Sequence, residues 1–502
     1  MYYTLLIFIV VLLASIFAPG SMMVILIINT AIVMLLSVLQ IFAALFSRFE
    51  PRRTSASSHA FVSVLIPTYN EPPAILMYTL EALSRLKYEN FEVLVIDNNT
   101  KDPAVWQPVE TFTRTLGERF RFFHVDELSG YKAGALNYIL NFVNPKSAYT
   151  AVIDADYVVE PEFLNVALSY FVDKDIALVQ FPQQYRNCTN ANQPIADEYR
   201  HFFKIYMNMA NHMDCVPSTG TVSVYALDIL RSIGGFREEA LTEDADVGLR
   251  IYGAGYRGVY VDHSMGYGLM PYDIESYRKQ KKRWATGNAQ SIRTLFSLCG
   301  RIPFRSWLGF LSHLTAWDHF NLLPFAVLAA YSILLLPIVP LTAPHRNLLT
   351  IASLSIFITL TSKFALFVAT LKGQKRILPR AIKAFIVHMG MTLLYSQALG
   401  TIWFGTKVGF ERTNKFILAK IPSLLKNTYR ELILGIWFAA GTVEAIFWGT
   451  RLITVAAFLI SSLTVLSIYY VYWKISSTKA YSQKLLMELE REYRPYLKLP
   501  NT

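Results

Sequence analysis

Three short clusters in this 502-residue chain carry side chains that can do chemistry together. Gln280-Lys281-Lys282-Arg283-Trp284 sets an amide, a guanidinium and an indole at positions i, i+3 and i+4, which is one face of a helix. Arg283 can grip phosphate oxygens in a fork, and Gln280 can add a hydrogen bond. Trp284 offers a flat apolar face on which a pyranose ring can stack. A basic amphipathic helix at a membrane surface would carry the same residues. Thr242-Glu243-Asp244 follows the turn at Gly234-Gly235-Phe236. Thr242 is placed to cap a helix running through Val247 to Tyr252, with Glu243 and Asp244 in its first turn. A carboxylate held rigidly at a helix start can also act as a general base, and Asp244 is the candidate, with Glu243 beside it. Asp154-Ala155-Asp156 ends a strand-like run, and alternate side chains of an extended segment share a face. Two carboxylates completed by water and phosphate oxygens suit Mg²⁺ or Mn²⁺. Such an ion would neutralise charge developing on a departing diphosphate. Alone, Asp-x-Asp also fits a solvated loop pair.

Other segments can supply binding groups. Pro67-Thr68-Tyr69-Asn70-Glu71 offers an aromatic ring and polar groups suited to a nucleobase. Lys132 sits among the small residues of Tyr131-Lys132-Ala133-Gly134-Ala135, which permit close approach to a diphosphate. His124, His201 and His212 have no partners visible in the sequence and read as structural. Cys188, Cys215 and Cys299 lack metal-ligand spacing and read as reduced thiols.

These residues need a scaffold. From about 60 to 275 strand and helix patterns alternate. Apolar strands are predicted at 61–67, 91–97, 121–125 and 149–154, the second and fourth ending in Asp97 and Asp154. Helices are predicted from Pro73, over 132–141 and over 161–171. The alternation predicts an α/β domain with a largely parallel sheet covered on both faces. Ligands of such sheets bind beyond the carboxyl ends of the strands, where Asp97 and Asp154 fall.

The rest of the chain reads as membrane-embedded. The full sequence is 53% hydrophobic and 17% charged, too apolar for an ordinary soluble domain. No charged residue precedes Arg48, and two apolar runs, 4–18 and 22–46, are near the length of a span. Without a basic leader segment, and with a second run following at once, they read as anchors, not a cleaved signal. Residues 276–318 read as amphipathic interface helices. Spans are predicted at 319–341, 349–371, 432–449 and 452–473, with a cytosolic tail from 476. The net charge of +11 gathers beside apolar runs, at Arg48, Arg52, Arg53, Lys372, Lys375, Arg376 and Arg380, and again over 407–426. That is the signature of a cytoplasmic face and speaks against nucleic acid as a partner. It also lays the apolar stretch 383–404 in the cytoplasmic interface and gives six spans with both termini and the inserted domain cytoplasmic. Lys363 and Glu444 lie inside apolar runs, and ionisable groups in lipid face a polar path or snorkel to the surface.

Taken in order, these residues resemble the family 2 inverting glycosyltransferases of GT-A fold. The closer likeness is to membrane-embedded processive synthases of cellulose, chitin, hyaluronan and bacterial β-1,3-glucan, and it covers roughly 60 to 475. The resemblance implies that Asp97 touches the nucleotide, that Asp154 and Asp156 hold the metal, and that Asp244 is the base. It makes Gln280, Arg283 and Trp284 the Gln-x-x-Arg-Trp motif, and Thr219-Gly220-Thr221 the loop that contacts the acceptor. Phe410-Glu411-Arg412-Thr413-Asn414-Lys415 is similar to a gating loop that closes over nucleotide through the positions of Thr413 and Lys415. Asn98-Asn99-Thr100, where cellulose synthases usually carry a second Asp, points towards the β-1,3-glucan branch. The tail after the last span is too short for the cyclic-di-GMP-binding domain fused to many cellulose synthases. The resemblance implies a UDP-sugar donor, UDP-glucose first, a growing polysaccharide acceptor, and a multi-pass protein of the plasma membrane. A non-processive transferase with a lipid acceptor, similar to ceramide glucosyltransferase, is the alternative, as is a hyaluronan- or chitin-type synthase using another UDP-sugar. A silent translocation subunit would not need the intact acidic set.

Overall fold

The computed structural model describes residues 2–46, 51–54, 59–271, 273–317, 322–334, 341–404 and 424–497. Thr413 and Lys415 therefore lie outside the described residues.

Ten strands build the α/β domain: β1 Phe61–Thr68, β2 Phe91–Asn98, β3 Phe120–Val125, β4 Ser147–Val152, β5 Val158–Val159, β6 Ile176–Gln180, β7 Gln184–Tyr185, β8 Ser223–Ala226, β9 Arg257–Tyr260 and β10 Gly266–Gly268. Seven form the main sheet in the order β3-β2-β1-β4-β8-β6-β9, and β5-β10-β7 form a small second sheet. Within the main sheet β1, β2, β3 and β4 run parallel, and β6 pairs parallel with β9. Only β8 is antiparallel to its main-sheet neighbours, β4 and β6. The largely parallel sheet expected from the alternation is thus present, with one reversed strand in its middle.

The period-two alternation of strands explains why both faces are covered. Val62, Val64, Ile66, Val93 and Val95 point into one core, beneath the helices Pro73–Ser84 and Pro103–Thr115. Leu65, Leu94 and Ile96 point into the other, with residues of the Tyr131–Ile139, Leu227–Ser232 and Glu243–Gly253 helices. The helix predicted over 161–171 is shorter, Phe163–Leu168.

Among the described residues, three helices are long and apolar enough to cross a membrane: Pro19–Leu45, Ala343–Thr370 and Leu452–Ile475. Leu6–Phe17 and Leu322–Ser332 are apolar but shorter. The stretch expected to lie in the interface, 383–404, falls on two helices, Ile377–Met389 and Thr392–Phe404, which meet at a 45° bend; by length and composition alone the pair would also suit a broken span or a re-entrant loop. Gly390 sits at the break in close contact with a later helix: a Cβ there would fall 2.9 Å from Val471 Cγ2. The Leu424–Phe447 helix, which covers the predicted span 432–449, carries Lys426, Arg430, Glu431 and Glu444 and is not among the long apolar three. The long helix Ile468–Glu492 leaves the bundle and returns to the α/β domain. There Leu489 and Tyr493 join its first core, and Tyr493 donates a hydrogen bond to Glu81.

Candidate active site

The carboxyl ends of β1, β2 and β4 open on a cleft of about 310 Å³. It is lined by thirteen of the residues singled out in the sequence: Thr68, Tyr69, Glu71, Lys132, Asp154, Asp156, Thr219, Gly220, Glu243, Asp244, Gln280, Arg283 and Trp284. They come from six separate segments of the chain, so the convergence is a property of the fold.

Asp244 lies in the first turn of the Glu243–Gly253 helix, where its Oδ1 accepts from the N–H of Ala245 at 2.9 Å. Burial and the neighbouring Glu243 raise its pKa to about 7, against the pull of Lys132 and Arg283. A base is most effective when its pKa sits near the working pH. Gly220 reaches Asp244 from the opposite side. Its φ is +81°, and a Cβ there would fall 2.8 Å from Asp244 Oδ2. Only glycine combines that backbone with that approach. Thr242 holds the N-cap position, yet its hydroxyl makes no cap bond, contrary to the expectation of a capping threonine. It is turned instead against Gly287 of the next helix, where a Cβ would sit 2.3 Å from Thr242 Cγ2.

Lys132 is the central cation of the acidic group. Its Nζ donates to Asp154 Oδ1 at 2.6 Å and to the Gly220 carbonyl at 2.7 Å, and lies 3.9 Å from Glu243 Oε1. Burial alone would lower its pKa, but the carboxylates of Asp154, Glu243 and Asp244 outweigh burial and raise it. Asp156 is 3% exposed, and its Oδ2 accepts from the N–H of Leu269 at 2.8 Å. Among the described residues no group of three or more His, Cys, Asp and Glu is set to hold a metal ion. Asp154 and Asp156 are all-oxygen donors on one turn of the cleft wall. That fits a divalent cation that takes its remaining ligands from substrate phosphates and water.

Gln280, Arg283 and Trp284 share one face of the Ile274–Ser297 helix, as their spacing predicts. The Tyr199 hydroxyl donates to Gln280 Oε1 at 2.5 Å and so fixes the amide.

Asp97 is the exception. It sits behind the cleft wall at 3% exposure, with Asn98 and Asn99 lining the cleft in its place. The Thr100 hydroxyl donates to Asp97 Oδ2 at 2.8 Å, and His124 Nδ1 lies 2.9 Å from Oδ1. Burial raises the Asp97 pKa, although both hydrogen bonds oppose it. His124 thus has a partner that the sequence did not reveal, and Trp106 stacks on its ring at 4.1 Å. His201 has partners too, Thr370 at 2.8 Å and the face of Phe367 at 4.0 Å. Asn99, two residues after Asp97, clasps the backbone of Leu128. Its Oδ1 accepts from the N–H of Leu128 at 2.8 Å while its Nδ2 donates to the Leu128 carbonyl at 2.7 Å. A carboxylate could make only the first of these bonds. Its φ of +66° is one that Asn tolerates better than most residues.

Sequence reasoning missed Gln183, Tyr157 and Tyr185, which also line the cleft. Gln183 donates to the Thr219 carbonyl at 2.7 Å and holds the loop that bears Gly220. The phenolic oxygens of Tyr157 and Tyr185 are buried without a hydrogen-bond partner among the described residues. Tyr185 lies on a two-residue strand, too short to leave a periodic signal.

Comparison with known proteins follows the same outline. The glycosyl transferase family 2 profile matches residues 63–233, and that of glycosyl transferase family group 2 matches 149–371. The cellulose synthase catalytic subunit of Pseudomonas fluorescens is 28% identical over 50% of this chain and 34% of its own length. A probable glucomannan 4-beta-mannosyltransferase of Arabidopsis thaliana is 27% identical over 49% of this chain and 46% of its own length. The matched region is thus between a third and a half of those curated relatives. Among solved structures, a mannosyltransferase from Pyrobaculum calidifontis, in complex with GDP-Man and Mn²⁺, shares the fold at a TM-score of 0.50 and 18% identity, covering 70% of this chain and 97% of its own. The two profile matches together span residues 63–371, so this part of the chain is a family 2 glycosyltransferase domain, with the GT-A-like α/β fold that it shares with the mannosyltransferase.

Proposed function

We propose that the protein is a processive inverting synthase that takes sugar from a nucleotide diphosphate sugar, UDP-glucose first, adds it to a growing β-glucan and passes the polymer across the plasma membrane. The observation that carries this reading is the meeting of Asp244, Lys132, Arg283 and Trp284 in one cleft of a domain joined directly to apolar helices. Asp244 takes the proton from the acceptor hydroxyl as that oxygen bonds to the anomeric carbon. The bond from the anomeric carbon to the diphosphate oxygen breaks on the opposite face, so an α-linked donor yields a β-linked product. Lys132 and Arg283 place positive charge where the diphosphate gathers negative charge. Thr68, Tyr69 and Glu71 line the cleft where the nucleotide would bind, and Thr219 and Gly220 border the base, where an acceptor would enter. Asp154 and Asp156 would hold Mg²⁺ or Mn²⁺, which when bound neutralises diphosphate charge. The family likeness extends the nucleotide contacts to Thr413 and Lys415.

The cellulose and glucomannan relatives support a β-linked polymer and make mannose the second sugar to test. The β-1,3 linkage and glucose as the sugar are parts of this proposal. The test is to purify the protein in nanodiscs, supply labelled UDP-glucose, GDP-mannose and UDP-N-acetylglucosamine with Mg²⁺ or Mn²⁺, and size the product. A high-molecular-weight product cut by a linkage-specific glucanase or mannanase is expected. A single sugar on an extractable lipid would overturn the reading.

A further inference from the structure

Between Gln280 and Arg283 lies a residue that the chemistry above does not use. Lys281 is 1% exposed, and its ammonium is surrounded by aromatic faces: Tyr199 at 4.2 Å, Trp317 at 5.1 Å, Trp284 at 5.2 Å and Tyr277 at 5.4 Å from ring centroids. Its counter-ion is Glu198, whose Oε2 accepts from Lys281 Nζ at 2.6 Å and from the Tyr277 hydroxyl at 3.1 Å. The other oxygen of Glu198 lies 3.1 Å from His388 Nδ1. The group joins three elements: the Gln193–His201 helix of the α/β domain, the Ile274–Ser297 helix of the cleft, and the Ile377–Met389 helix of the bent pair.

Stability is a poor reason for this arrangement. A buried ion pair gains little over well-packed apolar residues of the same volume, because each charge must be stripped of water. A cation among four rings does something that a leucine would not: it draws each ring to present its face. Two of those rings are the indoles of Trp284 and Trp317, whose centroids are 5.7 Å apart. Both line a small cavity of about 50 Å³ that also touches Asp244. A third is Tyr199, which holds the Gln280 amide.

We propose that Lys281, balanced by Glu198, is a positioning residue for the acceptor sugar. Its ammonium sets the plane of the Trp284 indole and, through Tyr199, the direction of the Gln280 amide. It touches neither the donor nor the reacting atoms. The inference rests on Trp284 as the acceptor platform, and it assigns that platform's geometry to a charge beneath it.

The test uses the full-length protein in nanodiscs, a nucleotide sugar and a soluble β-linked oligosaccharide acceptor. Lys281→Met should raise the acceptor KM about tenfold while the donor KM stays within about twofold. Lys281→Arg, which keeps the cation, should recover most of the loss. In a Trp284→Leu background the effect of Lys281→Met should shrink to less than about threefold, because the ring it orients is gone. If Lys281→Met fails to fold, the charge-neutral pair Lys281→Met with Glu198→Gln replaces it, judged by nucleotide binding. An unchanged acceptor KM in the variant that folds, or a full effect in the Trp284→Leu background, would overturn the inference. A wild type that transfers nothing to the oligosaccharide would instead sink the acceptor-platform reading itself.

Discussion

Lys132 donates from Nζ to Asp154 Oδ1 at 2.6 Å and so ties the helix that follows β3 to the turn that follows β4. The same ammonium lowers the pKa of Asp244, whereas Glu243 raises it. The two neighbours therefore push the base in opposite directions. A base works when deprotonated, so kcat/KM should fall as pH drops through the pKa of Asp244, near 7 in the free protein. Lys132→Met removes a lowering influence and should move that acid limb to higher pH. Glu243→Gln removes a raising influence and should move it to lower pH. The pH profiles of the two variants against wild type check both signs, and a shift in the same direction for both would contradict the assignment.

Asp244→Asn keeps the shape of the site and removes the proposed base. Transfer should fall by roughly 10³-fold, within the range of general base catalysis, while nucleotide still binds. Labelled product formation and nucleotide-binding calorimetry on one preparation separate the two effects.

Gly220→Ala should be costly although only a methyl group is added. The residue sits at φ +81°, and the new Cβ would fall 2.8 Å from Asp244 Oδ2. The backbone alone costs about 1–2 kcal/mol for an L-residue. Displacement of Asp244 adds a loss of turnover beyond the stability change. A modest drop in melting temperature with a much larger drop in kcat is expected.

Asn99→Asp tests the amide lock on Leu128. The variant keeps the acceptor for the Leu128 N–H but cannot donate to the Leu128 carbonyl. A loss of about 1–2 kcal/mol is expected, with faster amide exchange at the loop beyond β3. Unchanged exchange there would show that the lock does not order the loop.

Arg278 and Glu431 pair at 2.5 Å, joining the cleft helix to the Leu424–Phe447 helix, and Glu431 is 2% exposed. Arg278→Met leaves a buried carboxylate without its counter-ion and should destabilise by about 3 kcal/mol or more. Arg278→Met with Glu431→Gln should recover much of that. Thermal unfolding in detergent reads both.

How much of this was legible beforehand depends on the distance over which each signal acts. Strands β1, β2 and β4 announced themselves because runs such as Val62 to Ile66 place alternate residues in two cores, and that period is local. The positions of Asp154, Asp244 and the face shared by Gln280, Arg283 and Trp284 were legible for the same reason. Each is a strand end, a helix start or a helical spacing, set by backbone geometry within a few residues. Residue types then restricted the chemistry to acids, cations and an indole.

Other features depend on partners far away in sequence, and no local period encodes those. Asp97 carried the right residue type at the right strand end, yet His124 and Thr100 engage it behind the wall. Thr242 held the capping position, but its hydroxyl makes no cap bond and its side chain packs against Gly287. Lys281 read as one more base of an amphipathic helix until Glu198, His388 and Trp317 were seen around it. The sequence alone determined which side chains could act, because periodicity and residue chemistry are local. Only the tertiary structure decided which of them meet, because burial and charge pairing join segments that the chain itself keeps apart.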